Sequence, residues 1–200
     1  MKYRSAVIDY IERRFYKDDV GIAFLYCNYK ERDTQTAQTL IGSLAQQLVQ
    51  RYPDVPSGLK VLYDDHSRNR QTPTPPTVPE CLQLLKSQIV CCPTTFLVVD
   101  ALDECDDQTR RELCAQLRNL PGSTHLLITS RHNPELEDQI RPSTRLEIRA
   151  SNKDIEMYLE DRIENKEHRL NRLAQKDPEL RPLVISTILD KAQGMYVTSY

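Results

Sequence analysis

The decapeptide TFLVVDALDE, residues 95–104, is an apolar run that ends at three acidic side chains, Asp100, Asp103 and Glu104. An uninterrupted apolar strand is typical of the buried centre of a parallel sheet. In α/β sheets of this kind the ligand-binding groups follow the carboxyl ends of the strands. The decapeptide therefore predicts an α/β fold with a nucleotide site at this edge of the sheet.

A second strand with the same apolar-to-polar pattern is predicted at residues 125–131, HLLITSR. A predicted helix over residues 106–120 separates it from the first strand, and Pro121-Gly122 is a suitable stop for that helix. The order strand, helix, strand favours parallel pairing through a right-handed crossover. We therefore expect the two polar strand ends to meet at one edge.

Phosphoryl transfer explains why these residue types would meet there. Asp100 is expected to hold Mg²⁺ through water beside the β and γ phosphates of a nucleoside triphosphate. Asp103 and Glu104 are candidates for orienting the attacking water. The candidates for sensing or neutralising the γ-phosphate lie at the end of the second strand: Thr129, Ser130 and Arg131. The alternative is that acids at strand ends only solvate the turn or cap the next helix.

The remaining pattern predicts one main domain, residues 1–150, followed by a helical segment, residues 151–200. Further helices are predicted at residues 2–15, 36–50, 79–90, 153–165 and 183–192, and further strands at residues 20–27 and 145–149. Six of the chain's 12 prolines fall within residues 53–79. We interpret that segment as a surface excursion with one or two helical turns.

Composition excludes several classes of function. The chain has 27 basic and 29 acidic residues and no basic run, which disfavours direct binding of nucleic acid or an anionic membrane. It has no apolar stretch of transmembrane length and no signal-peptide pattern, so we expect a soluble, cytoplasmic protein. The six cysteines form no C-x-x-C pair, and we interpret them as buried, reduced structural thiols, including Cys91 and Cys92. The four histidines are scattered, and none is assigned to catalysis.

Several blocks carry a family resemblance: FLVVDALDEC at 96–105, LITSR at 127–131, Asp154-Ile155 with Tyr158, and KAQGMY at 191–196. Together they resemble a NACHT domain, specifically the nephrocystin-type NACHT of large fungal, NLR-like signalling ATPases. SAVIDYI at 5–11, YCNY at 26–29 and LIGSL at 40–44 resemble the segments that follow the phosphate loop in such proteins.

The resemblance implies a signal-transducing P-loop NTPase with a parallel three-layer sandwich, a helical C-terminal extension, and Mg²⁺ with ATP or GTP as cofactors. It implies that Asp100 is the Walker B acid that coordinates Mg²⁺, that Asp103 and Glu104 support hydrolysis, and that Arg131 lies near the γ-phosphate. The expected partners are effector and repeat domains of a larger parent protein, and further copies of the module.

One part of the family pattern is absent from the sequence. None of the five glycines opens a Gly-x-x-x-x-Gly-Lys-Ser/Thr loop, which would wrap backbone N–H groups around the phosphates. We therefore expect an incomplete, truncated NTPase core that lacks the phosphate-loop strand and binds no ATP by itself. Two alternatives stay open: a catalytically inactive protein-interaction module with a degenerate NTPase fold, and a DNA-dependent ATPase, which the balanced charge disfavours.

Overall fold

The computed structural model describes residues 6–15, 19–51, 56–68, 72–140, 144–149, 151–164, 169–177, 179–192 and 196–199. The chain divides into two compact units. The first comprises Met1–Arg145 with Ser199–Tyr200, and the second comprises Leu146–Thr198.

The first unit contains a parallel sheet of three strands in the order β1-β2-β3. Its strands are β1 (Val20–Tyr26), β2 (Thr94–Asp100) and β3 (Thr124–Ser130). Its helices are α1 (Ala6–Arg14), α2 (Ala37–Val49), α3 (Ser57–Tyr63), α4 (Val78–Val90), α5 (Asp107–Leu117) and α6 (Pro134–Gln139). Tyr26 is opposite Asp100, and Val99 is opposite Ile128, so the carboxyl ends of the three strands lie at one edge.

Helices cover both faces of this sheet. Side chains alternate between the faces along each strand, so apolar strands present apolar side chains on both sides. One face presents Ala23, Leu97 and Ile128 to a buried cluster that includes residues of α2, α4 and α5. The other face presents Ile22 and Val98 to the buried isoleucines of α1. The prediction of a three-layer α/β sandwich with a parallel sheet is confirmed.

Side-chain caps explain where the helices of the first unit begin. Thr36 accepts a hydrogen bond from the Thr39 backbone N–H at the start of α2. Asp106 Oδ1 accepts from two backbone N–H groups at the start of α5. Asn133 caps the short α6, which was not predicted. These acceptors satisfy N–H groups that have no partner within the helix.

Side-chain hydrogen bonds hold part of the proline-rich segment in place, which its composition did not indicate. After α3, a π-helical turn at Asp64–Arg68 buries His66. The imidazole Nδ1 lies 2.9 Å from Thr74 Oγ1, and Nε2 lies 3.0 Å from Glu80 Oε1. The backbone N–H and hydroxyl of Thr77 both donate to Glu80 Oε2, each at 2.7 Å. We call these four residues the histidine clasp, because they hold the excursion against the start of α4.

One prediction about the thiols is wrong. Cys91 is exposed, whereas the neighbouring Cys92 is buried. Cys91 is the residue directly after α4, where the backbone turns towards β2. None of the helices in the described part of the chain is long and apolar enough to cross a membrane.

The second unit is mainly helical, as predicted for the C-terminal part. It contains β4 (Leu146–Arg149), α7 (Asn152–Glu164), α8 (Arg169–Lys176), α9 (Leu180–Ala192) and all but the last residue of β5 (Tyr196–Ser199). The predicted cap is present at the start of α7, where Ser151 Oγ accepts from the Asp154 N–H at 3.1 Å. Helix α7 packs against α8 and α9. Helix α8 was not predicted, because its sequence is short and strongly polar. Strand β5 was not predicted, because its four residues show no clear alternation.

Candidate functional site

Asp100 and Thr129 are joined at the carboxyl ends of adjacent strands. Thr129 Oγ1 donates to Asp100 Oδ1 at 2.5 Å and accepts from the Ala101 N–H at 2.9 Å. The Asp100 carbonyl oxygen accepts from the Cys27 N–H at 2.9 Å, which extends the pairing of β1 with β2 by one step. Asp100 is therefore held from both sides, its carboxylate by Thr129 of β3 and its backbone by the residue that follows β1.

Ala101 turns the chain sharply after β2. Its φ of 56° and ψ of 47° are left-handed, and among the described residues it is the one non-glycine residue with positive φ. This conformation costs an L-residue about 1–2 kcal/mol. The turn leads into a 3₁₀ turn, Leu102–Glu104, in which Leu102 is completely buried. Burial of Leu102 holds the following acids at the sheet edge.

Asp103 binds both the backbone and the side chain of Arg131. Its Oδ1 accepts from the Arg131 N–H at 3.0 Å, and its Oδ2 accepts from Arg131 Nε at 2.6 Å. The Asp103 side chain is 12% exposed and the Arg131 side chain 75%. Burial alone would raise the pKa of Asp103, but the hydrogen bonds and the charge of Arg131 outweigh burial and lower it. Asp103 is therefore an anion that orients an exposed guanidinium.

Glu104 connects the acidic turn to the loop that follows β1. Its Oε2 accepts from the Tyr29 N–H at 3.1 Å, and its carbonyl oxygen accepts from Arg32 Nε at 2.8 Å. Within the same loop, Gln35 Nε2 donates to the Tyr26 carbonyl oxygen at 3.0 Å. The loop after β1 therefore borders the site together with the ends of β2 and β3. The sequence pattern did not identify this loop as part of the site, although the YCNY block, residues 26–29, begins at the last residue of β1.

Ser130 differs from the other predicted residues. It is 2% exposed, and its hydroxyl donates to the Arg131 carbonyl oxygen at 2.7 Å. Its observed contact is therefore with the backbone. The four residues that the structure interlocks are Asp100, Asp103, Thr129 and Arg131, and we call them the edge cluster.

Of the two carboxylates in the edge cluster, Asp103 is engaged by Arg131, so the partly exposed Asp100 is the candidate metal ligand. No group of three or more His, Cys, Asp or Glu side chains that could hold a metal ion is present among the described residues. Mg²⁺ needs no such group when it is held by one or two carboxylates, water and substrate phosphates. Asp100 fits that mode of binding.

The fold and the edge cluster define an α/β domain in which polar groups converge at the carboxyl edge of a parallel sheet. The family described as Nephrocystin 3, N-terminal, has a model that matches residues 3–131. The chain belongs to this family. The matched range ends at Arg131 and so contains the whole edge cluster. No curated protein matches the chain.

Proposed function

We propose that this chain is the core of a NACHT-type regulatory NTPase module that acts in cytoplasmic signal transduction. The observation that carries the proposal is the edge cluster. Its four side chains come from two adjacent strand ends and interlock in two pairs, Thr129 with Asp100 and Asp103 with Arg131. A site for a metal-bound polyphosphate needs an acid for the metal and a cation for the phosphate at one edge.

In this proposal Asp100 is the acid beside Mg²⁺. The hydroxyl of Thr129 holds one of its oxygens at 2.5 Å, which orients the carboxylate before any ligand arrives. The metal would supply charge neutralisation at the β and γ phosphates of ATP or GTP. Orientation by Thr129 reduces the reorganisation needed when that complex binds.

Arg131 is the cation that would face the γ-phosphate. Its guanidinium is 75% exposed, but Asp103 holds its Nε and backbone N–H. Asp103 is thus a positioning residue in the observed arrangement. Glu104, which receives the Tyr29 N–H, is the second acid proposed to support hydrolysis. The proposed roles of Asp103 and Glu104 are consistent with Asp100 as the Walker B acid.

The sequence holds no Gly-x-x-x-x-Gly-Lys-Ser/Thr loop, so we propose that the chain by itself has no measurable affinity for nucleotide. Binding and hydrolysis would belong to a larger parent protein with effector and repeat domains, which assembles with further copies of itself. A calorimetric titration of Mg-ATP into the 200-residue chain checks the first statement. Micromolar binding would contradict it.

The NTPase proposal is tested in the longest natural protein that carries this chain. We expect Mg-dependent hydrolysis that Asp100→Ala abolishes, because the metal then lacks its carboxylate. Glu112→Ala, on an exposed position of α5, is the matched control and should leave turnover unchanged. Equal turnover of the Asp100→Ala protein would remove Asp100 from this role.

A second candidate function is a catalytically inactive interaction module. The observation that favours it is an apolar groove of about 410 Å³ beside α2, α3 and α4, lined by Ala45, Val49, Leu59, Leu62 and Leu84 among others. Absence of both nucleotide binding and hydrolysis in the longer protein would favour this function over the first.

A further inference from the structure

Strand β1 lies at the outer end of the parallel sheet. Strand β2 pairs with one side of it, and in the described part of the chain no strand pairs with the other side. The backbone N–H and C=O groups on that outer side belong to alternate residues, among them Phe24 and Tyr26. An edge of this kind is a template on which another chain can add a strand. The groups that occupy it therefore decide whether other chains can pair with β1.

The sequence of β1 favours such pairing. Its seven residues, VGIAFLY, include no charged residue and no proline. The alternate positions Val20, Ile22, Phe24 and Tyr26 are all β-branched or aromatic. Segments of six or seven residues with this composition readily form strands between molecules. Because β1 has no charge that would repel a second copy, the edge needs protection of another kind.

Gln47 of α2 covers the middle of this edge. Its Oε1 accepts a hydrogen bond from the Phe24 N–H at 3.0 Å, and its Nε2 donates to the Phe24 carbonyl oxygen at 2.8 Å. One side-chain amide thus makes both hydrogen bonds that a residue of an antiparallel strand would make opposite Phe24. The same Nε2 also donates to Ser43 Oγ at 3.3 Å, one helical turn earlier. That contact holds the amide in the orientation that fits the strand.

Gln35 covers the carboxyl end of the same edge. Its Oε1 accepts from the Asn28 N–H at 2.9 Å, and its Nε2 donates to the Tyr26 carbonyl oxygen at 3.0 Å. In a parallel pair, one residue of the added strand would bind such a C=O and the N–H two residues further along. Glu31 Oε2 accepts from the same Nε2 at 3.3 Å. We call Gln35 and Gln47 the glutamine guard, because they occupy successive positions where a further strand would bind.

We propose that the glutamine guard prevents β1 from pairing with β1 of a second copy of this chain. A side-chain amide satisfies the backbone groups of the edge but offers no strand of its own for further pairing. Without the guard, two β1 edges can meet antiparallel about a two-fold axis, so that both copies make the same contacts. This surface lies outside the edge cluster, and the proposal holds whether or not the chain binds nucleotide.

The test compares the full chain with its Gln35→Ala/Gln47→Ala variant by sedimentation velocity at increasing protein concentration. We expect the mass of the variant to rise towards that of a dimer, with more dimer than the unchanged chain forms at each concentration. The control is Gln46→Ala/Gln108→Ala, at two exposed positions, which should behave like the unchanged chain. A variant that associates no more than the unchanged chain would overturn the proposal.

Hydrogen–deuterium exchange locates the contact. In the double alanine variant the backbone amides of Ile22 and Phe24 should exchange more slowly at high protein concentration than at low concentration. Those of the unchanged chain should not depend on concentration, because the guard keeps the edge occupied. Association that leaves exchange in β1 unchanged would place the contact on another surface and refute strand pairing.

A charged variant separates strand pairing from non-specific association of a loosened fold. Gln35→Ala/Gln47→Lys also removes both amides, but it places a positive charge at the middle of the edge, where two copies would repel each other. We expect it to associate no more than the unchanged chain. If it associates as strongly as the double alanine variant, the proposal is wrong. If the double alanine variant does not fold, Gln47→Ala alone, measured in the same two ways, decides between the outcomes.

Discussion

The histidine clasp joins residues within one segment, 66–80, whereas the edge cluster joins two strand ends that are 28 or 29 residues apart. The two clusters also differ in which of their polar groups is buried. The clasp buries its central group, since the His66 side chain is 7% exposed. The edge cluster buries the acid and leaves the cation outside, with Asp103 at 12% and Arg131 at 75%. A cluster with its polar groups satisfied internally serves stability, whereas an oriented and exposed cation remains available to a ligand. Substitutions in the two clusters should therefore have different consequences.

The largest expected effect is the loss of the clasp. His66→Ala should destabilise the chain by about 2–4 kcal/mol, because it removes a buried ring and leaves Thr74 and Glu80 without their partner. Urea denaturation followed by circular dichroism measures the change. The control is His132→Ala, since His132 is 54% exposed beside Glu137. Glu137 keeps Arg145 as a partner at 2.8 Å, so loss of the half-exposed His132 should cost about 0.5 kcal/mol or less. Equal effects at the two histidines would contradict the structural role of the clasp.

Removal of the acid from the edge cluster should cost less. Asp103→Ala takes away both acceptors of Arg131, and we expect a loss of about 1 kcal/mol because the exposed partners regain water. Hydrogen–deuterium exchange at the Arg131 amide is the sharper measurement, and it should accelerate. Asp103→Asn keeps one carbonyl acceptor and should slow the exchange again. Exchange that is the same in all three proteins would show that Asp103 does not hold the Arg131 backbone.

The strand ends of the edge cluster were predictable from the sequence, and the clasp was not. Two apolar runs with a helix between them favour parallel neighbours, so the strand ends that carry Asp100 and Thr129 were expected to lie close together. The left-handed Ala101 was not predicted, because a local pattern rarely places alanine in that region of φ and ψ. The clasp depends on where the excursion folds back onto α4, and composition carries no information about that contact.

Acid should weaken the clasp in a defined pH window. The hydrogen bonds from Thr77 and His66 lower the pKa of Glu80 from 4.5 to about 2. Because the folded state holds the proton less tightly, this contribution is fully present above pH 4.5 and is lost as the pH falls through about 2. Glu80→Gln should therefore reduce the slope of unfolding free energy against pH in that window. Asp103, Asp106 and Asp154, whose pKa values are also lowered, should contribute to the slope that remains. An unchanged slope would exclude Glu80 as a contributor.

The smallest expected effect concerns the backbone of the edge cluster. Ala101 has φ 56°, where glycine has no Cβ penalty, but glycine also loses more conformational freedom on folding. The net gain from Ala101→Gly should be about 0.5 kcal/mol, measured by urea denaturation. Ala115→Gly, at an exposed position within α5, is the control and should instead cost about 1 kcal/mol. Opposite signs at two alanines would show that strain is specific to the turn after Asp100. Destabilisation at both would mean that the left-handed turn stores no strain that glycine relieves.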